Sequence, residues 1–369
     1  MQEHYATYDL QQDHHHDRNR SRLFGYLTLA YTAVVVYASL QPFTGWRMPP
    51  DEILRFLIEP PRYFTLNDIV FNFLGYIPFG VLAWLAWRRA LGSAPALVAA
   101  IVGAALLSLA MESLQMFLPA RVSSSLDIVI NVAGATVGAG VTALASAPRF
   151  TGHALTAIRN RMFLPGAAVD VGIVMVAAWL ATHLYAGPQL FDTGDLRDLL
   201  QLPTRADYTP QLFILTEAAA VALNTLGIGL LIASLMRDGR HRFSAAIGLI
   251  VGGLAIKTVS DAILGETAPF IWATPGAVLG LSAGGLLLYP CLLTRRAVQI
   301  WLTAACIVVA VVVINLAPDN PYHAVLPLLI DETHSHYLRL HRIARTLSVS
   351  WPFATLTWLA VTGRWQEVH

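Results

Sequence analysis

Charge is scarce in this chain. Asp, Glu, Lys and Arg make up 13% of its 369 residues, about half the share of a soluble globular domain. So few charges cannot cover a water-facing surface of this size. The formal net charge is +1, which gives no electrostatic footprint for nucleic acid. Cysteine is nearly absent, and Cys291 and Cys306 both sit inside apolar runs. They build neither a disulfide framework nor a zinc site, and read as small buried hydrophobes. A Gly-rich phosphate loop, a G-x-S-x-G elbow and an H-E-x-x-H pair are also missing. The residues therefore call for no cofactor and no metal. Histidine does cluster, at His14, His15 and His16 in a polar N-terminal stretch and at His334, His336 and His341 near the end. The first group reads as part of a disordered cytoplasmic tail. The second fits no strong ligand spacing, and its stretch, 333–347, could form an amphipathic helix at the membrane surface.

What the chain has in quantity is apolar sequence: 56% hydrophobic residues and a mean hydropathy of +0.56. Long apolar runs alternate with short polar breaks, the pattern of a polytopic membrane protein. A bilayer core needs about 20 residues per helix. On that scale about ten spans follow: 23–41, 67–88, 93–118, 126–147, 167–187, 210–236, 243–264, 270–294, 298–317 and 347–362. The expected fold class is all-α, a polytopic transmembrane helix bundle. The first run follows Arg18, Arg20 and Arg22 and lacks a small-x-small cleavage site, so it reads as a signal anchor. Arg88 and Arg89, the Arg149 to Arg161 group, the Arg237 to Arg242 group, Arg295 and Arg296, and Arg364 all fall on that same side. Only the last loop on the other side, with Arg339, Arg342 and Arg345, departs from this pattern. The positive-inside rule then puts both termini in the cytoplasm of a multi-pass protein.

One word is written twice. Asp68-Ile69-Val70-Phe71-Asn72-Phe73-Leu74-Gly75 and Asp127-Ile128-Val129-Ile130-Asn131-Val132-Ala133-Gly134 both read D-I-V-x-N-x-x-G. Asp68 and Asn72 are four apart and share a helix face, as do Asp127 and Asn131. Between the copies Ser108, Glu112 and Gln115 mark one face of a third helix, followed by Arg121 in a short loop. Gly75 and Gly134 continue the two stripes as small residues, and Gly134-x-x-x-Gly138 lets backbones approach closely. The simplest packing brings the three stripes together. An acid inside a membrane helix costs about 2.5–3.5 kcal/mol on insertion scales at the helix centre. Glu112 is therefore either an acid/base or ligand-binding carboxylate, or glue bonded to Asn72 or Asn131. Asp127 and Asp68 sit at helix starts, where capping competes with a functional role. Arg121 either holds a phosphate or carboxylate or pairs with Asp127.

The two halves also resemble each other. Asn72-Phe73-Leu74-Gly75 has a counterpart in Asn224-Thr225-Leu226-Gly227, Leu109 to Ser113 in Leu254 to Thr258, and Gly134 to Gly138 in Gly276 to Gly280. Two parallel four-helix repeats follow, 23–147 and 167–294, with the tail 1–22 before them and two extra helices in 298–369. Lys257 stands where Glu112 does, with Asp261 one turn on; the pair neutralises itself, or Lys257 meets Glu112 across the repeats. Ala220 and Pro269 replace the two aspartates. Chemistry is therefore expected in the first repeat, with the second as scaffold. His183 reads as a hydrogen-bonded packing residue.

At these residues the sequence resembles the VanZ-like family of bacterial membrane proteins. The matching words are N-x-x-x-x-x-P-x-G at Asn72 to Gly80, Glu-x-x-Gln at Glu112 and Gln115, the following Arg121, and D-x-x-x-N-x-x-G-x-x-x-G at Asp127 to Gly138. The opening run ending Ser39-Leu40-Gln41-Pro42-Phe43 also fits, so the resemblance spans roughly residues 25–147. The family is named for a protein that lowers sensitivity to the glycopeptide antibiotic teicoplanin, and relatives are linked to envelope and polysaccharide functions. The resemblance implies a bacterial inner-membrane protein acting at the cell envelope.

The expected function is recognition or modification of a membrane lipid or lipid-linked envelope precursor from the outer-leaflet side. Glu112 would be acid/base or head-group ligand, and Asp127, the second catalytic candidate, would orient Arg121. Arg121 would hold an anionic group, and Asn72, Gln115, Asn131, Asp68 and Ser108 would shape the site. A transporter or flippase and a non-catalytic assembly partner are the alternatives.

Overall fold

The computed structural model of the chain describes residues 22–48, 55–58, 65–146, 154–184, 189–200, 209–237, 239, 241–263, 269–317 and 335–362. His14, His15, His16 and His334 lie outside these residues, as do the side chains of His336 and His341. The chain divides into two compact units, one ending at Arg161 and one beginning at Met162. The described residues are helical apart from turns, loops and one isolated bridge between Phe163 and Met236.

The first unit is built on α1 (Leu23–Leu40), α2 (Leu66–Leu91), α3 (Ser93–Gln115) and α4 (Ser125–Ala145). Helix α2 starts with a capping box: Thr65 Oγ1 accepts the Asp68 N–H at 3.1 Å, and Asp68 accepts the Thr65 N–H at 3.1 Å. It ends at Gly92, whose φ of 87° turns the chain directly into α3. Trp84 donates to the Ser93 carbonyl at 3.1 Å and closes this hairpin. A short loop after α3 leads to Ser124, which caps α4 by accepting the Leu126 N–H at 3.2 Å. Two tight reversals make α2 and α4 run parallel, with α3 antiparallel to both.

Small residues set how closely these helices pack. A Cβ on Gly134 would strike the Phe73 carbonyl, one on Gly138 the Ile77 carbonyl, and one on Gly80 the Ala135 carbonyl. The backbones of α2 and α4 therefore touch, and the two copies of the repeated word lie side by side. Gly75 has no such role, since nothing lies within 4 Å of the place a Cβ would take. Its carbonyl instead accepts the Tyr31 hydroxyl at 2.6 Å, one residue past the carbonyl that Pro78 deprives of its donor. On α3, Ala96, Ala100, Ala104 and Ser108 form a fully buried stripe four residues apart, continued by buried Glu112. Val98, Val102 and Leu106 lie on the exposed side.

After the boundary helix α5 (Ala154–Met162), the second unit contains α6 (Ala167–Thr182), the one-turn α7 (Arg197–Leu200), α8 (Pro210–Leu235), α9 (His241–Ile263), α10 (Pro275–Leu292), α11 (Arg296–Leu316) and α12 (Ser335–Thr362). Helix α8 is its buried centre, packed by α6, α9, α10 and α11. The α10 glycines Gly276, Gly280 and Gly284 sit against the Ile214, Ala218 and Ala222 carbonyls of α8.

Eight described helices are long and apolar enough to cross a membrane: α1 to α4 and α8 to α11. The other two expected spans fall on α6, an apolar helix of 16 residues, and on α12. Helix α12 runs unbroken from Ser335, with Pro352 inside it. The stretch expected as a separate interfacial helix is thus its first half.

Candidate functional site

The polar residues of the first unit collect where α3 ends and α4 begins. Glu112 is 3% exposed, and its Oε2 accepts the Ser124 backbone N–H at 2.9 Å. That N–H belongs to the N-cap of α4, whose dipole favours a carboxylate. Ser123 donates to the Glu112 carbonyl at 2.7 Å and satisfies an otherwise unbonded end of α3. Asp127, in the first turn of α4, and Arg121 both lie within electrostatic reach of the Glu112 carboxylate. One turn back along α3, Ser108 Oγ accepts Asn131 Nδ2 at 2.9 Å. Tyr76 of α2, itself buried, places its hydroxyl beside Ser108. Ser108 and Glu112 of α3 thus face Asn131 and Asp127 of α4, and α2 closes the layer with Tyr76. Asn131 Oδ1 is buried without a hydrogen-bond partner among the described residues.

The structure brings together Ser108, Glu112, Asp127 and Asn131 as their spacing predicts. Gln115 and Arg121 also reach the end of α1. Gln115 Nε2 donates to the Ser39 carbonyl at 3.1 Å, and Arg121 donates to the Gln41 carbonyl at 3.1 Å and to the Ala38 carbonyl at 2.7 Å. These are the last carbonyls of α1, which have no partners within their helix. A guanidinium there also complements the negative end of the dipole. Leu40, Met111 and Leu118 pack beneath this clamp. Asp68 lies in the capping box at the start of α2, so its contacts there include a structural task; Asn72, one turn deeper, is half-buried. Glu112 meets neither Asn72 nor Asn131 in its backbone-held bond, so the glue expected from those amides is supplied by Ser124 instead.

Tyr76 and Tyr31 were not singled out by the sequence pattern, although Asp68, Asn72 and Tyr76 continue at intervals of four residues. An aromatic in an apolar run carries no polar signal until a neighbour such as Ser108 is placed against it. In the second unit Lys257 pairs with Asp261 at 2.7 Å on α9, both buried, as the spacing suggests. His183 is held through Nδ1 by the Trp179 carbonyl at 2.9 Å and packs edge-on against the Trp179 ring. Glu217 was missed: it is buried in α8 with its carboxylate against Gly276 and Thr274 at the start of α10. As the one charged residue of its apolar run, it was visible in the sequence.

Residues 6–146 match the model of the VanZ/LLP1 family, a stretch that contains all of the polar layer described above. No curated protein and no solved structure matches the chain.

Proposed function

We propose, from the premise that the first unit is VanZ-like, that this membrane protein recognises or modifies the polar head of a lipid-linked envelope component. The observation that carries this reading is the Glu112 carboxylate. It is held by the first N–H of a neighbouring helix inside an apolar bundle, with Ser108, Asn131, Asp127 and Tyr76 around it. A buried acid among membrane helices is costly and marks a functional position by default. Structural stitching alone needs only an acceptor for the Ser124 N–H, which a neutral amide would supply without the cost of a buried acid. Glu112 is then the ligand-binding or acid/base group, and Asp127 tunes it. On the arginine placement the site faces the outer leaflet of a bacterial inner membrane.

Native mass spectrometry of wild-type and Glu112→Gln protein, purified side by side, tests this. A lipid-linked adduct retained by the wild type and lost from the variant supports the reading. Identical adducts on both overturn it.

A second reading, a transporter or flippase, draws on one observation. In each unit a glycine-bearing helix lies against the backbone carbonyls of the helix two places before it, α4 on α2 and α10 on α8. Paired units of that kind suit alternating access. Cysteines placed at Ser108 and Asn131 test it: labelling from the cytoplasmic side under turnover supports transport, and reaction from one side only argues against it.

A further inference from the structure

The polar layer of the first unit has unequal numbers of hydrogen-bond donors and acceptors to offer a ligand. Several of its side-chain donors are engaged within the protein. Asn131 Nδ2 is on Ser108, Gln115 Nε2 on Ser39, and the Ser123 hydroxyl on the Glu112 carbonyl. The Arg121 guanidinium lies on the Ala38 and Gln41 carbonyls, and the Ser124 N–H on Glu112. Acceptors remain. Asn131 Oδ1 is buried and meets no donor among the described residues, although its own amide nitrogen fixes it beside Ser108. Glu112 has a second carboxylate oxygen beyond the one that Ser124 holds. An ionised carboxylate can only accept, and an amide oxygen likewise. A buried acceptor left without a donor costs about 1–3 kcal/mol, so the layer gains most from a partner that brings N–H or O–H groups.

From this, and resting on the reading of the Glu112 layer as a binding site, we infer that the site takes a hydrogen-bond-donating group without excess negative charge, an ammonium or hydroxyl head, rather than a phosphate or carboxylate. A phosphate would bring only acceptors to the bare Asn131 Oδ1 and the Glu112 carboxylate. An ammonium or hydroxyl would reach Glu112 and Asn131 together.

The test compares short-chain lipids that share one glycerophosphate body. Binding of dioctanoyl lipids with an ethanolamine head, a choline head or a bare phosphate is measured by calorimetry on the full-length protein in nanodiscs. Ethanolamine and choline heads carry the same charge, and only the first has N–H donors. The ethanolamine lipid is expected to bind about tenfold or more tighter than the choline lipid, as charge-assisted hydrogen bonds allow, with bare phosphate weakest. Glu112→Gln should erase that preference. Its amide oxygen can still accept the Ser124 N–H, so the variant should stay folded, which size-exclusion chromatography checks. Asn131→Ala is the second variant and should weaken the preference independently. Free ethanolamine forms the remaining arm: binding of it with the same Glu112 dependence points to a soluble ligand, and binding of the lipid alone points to a headgroup. Both results support the inference. Glu112-dependent binding in which choline equals ethanolamine, or bare phosphate wins, overturns the donor preference and leaves the site standing. No Glu112-dependent binding of any probe overturns both.

Discussion

At the scale of single residues, burial and hydrogen bonding separate work from support. Glu112 and Arg121 are neighbours in the sequence pattern and differ in what they do. Glu112 is 3% exposed with one oxygen held by Ser124, and a Gln there keeps that bond. Glu112→Gln should therefore fold normally, with folded yield and melting temperature close to wild type, yet lose the function of the site. Arg121 clamps the end of α1 through the Ala38 and Gln41 carbonyls. Replacing it by Met keeps the packing of the side-chain stem and removes these bonds. Hydrogen bonds from a charged group are worth about 1.5–3 kcal/mol in total stability. Arg121→Met should therefore lower the melting temperature measured in detergent. A variant that melts like wild type and only loses ligand would show that Arg121 serves the ligand instead. The side-chain stripes of the site were legible because a spacing of four residues fixes a shared helix face. That is why Ser108, Glu112, Asp127 and Asn131 come together as read. The contacts of Gln115 and Arg121 with α1 were not legible. They are made to backbone carbonyls some 80 residues away in the chain, and a carbonyl carries no sequence signature. Tyr76 escaped for a related reason: its hydroxyl becomes informative only once α2 is placed against Ser108 of α3.

At the scale of elements, glycine position decides which helices touch. The repeated word places Gly75 and Gly134 at equivalent points, and sequence alone treats them alike. In the structure Gly134 and Gly138 meet the α2 backbone, while Gly75 has open space. The difference arises because α4 meets α2 with its glycine face, while α2 meets α4 with the Phe73 and Ile77 carbonyls and Gly80 and turns Gly75 away. Gly134→Ala and Gly138→Ala force a Cβ into a carbonyl, and overpacking of this kind costs about 1–3 kcal/mol. Gly75→Ala meets nothing and removes a flexible residue from a helix, a gain of up to about 1 kcal/mol. Thermal unfolding of the three variants should rank them in that order, with Gly75→Ala at or above wild type. Equal destabilisation by all three would contradict the α2–α4 register. Helix existence and direction were legible from apolar length and from caps such as Thr65 and Ser124. The ends of the less apolar elements were not. Helix α12 starts at Ser335, because the polar and basic residues before Leu347 hide a continuous helix from a hydropathy reading.

At the scale of the whole molecule, two compact units each bury a carboxylate where a helix begins: Glu112 beside the cap of α4, and Glu217 beside the cap of α10. The first comes from the third long helix of its unit and the second from the second long helix, which is why matching Lys257 to Glu112 along the sequence does not find it. The arginine distribution predicts a sidedness that can be measured. In a background lacking Cys291 and Cys306, Val122→Cys on the loop after α3 should react with a membrane-impermeant maleimide in intact spheroplasts. Ser93→Cys at the other end of α3 should react only after permeabilisation. The reverse pattern would place the Glu112 layer on the cytoplasmic side. Action of this layer on a lipid-linked envelope component is read out by mass spectrometry of lipid-linked intermediates in a deletion strain. That strain carries wild-type protein or Glu112→Gln at matched levels. An intermediate that shifts on deletion and is restored by wild type alone is the expected result. Equal restoration by both proteins, or no shift on deletion, would contradict it.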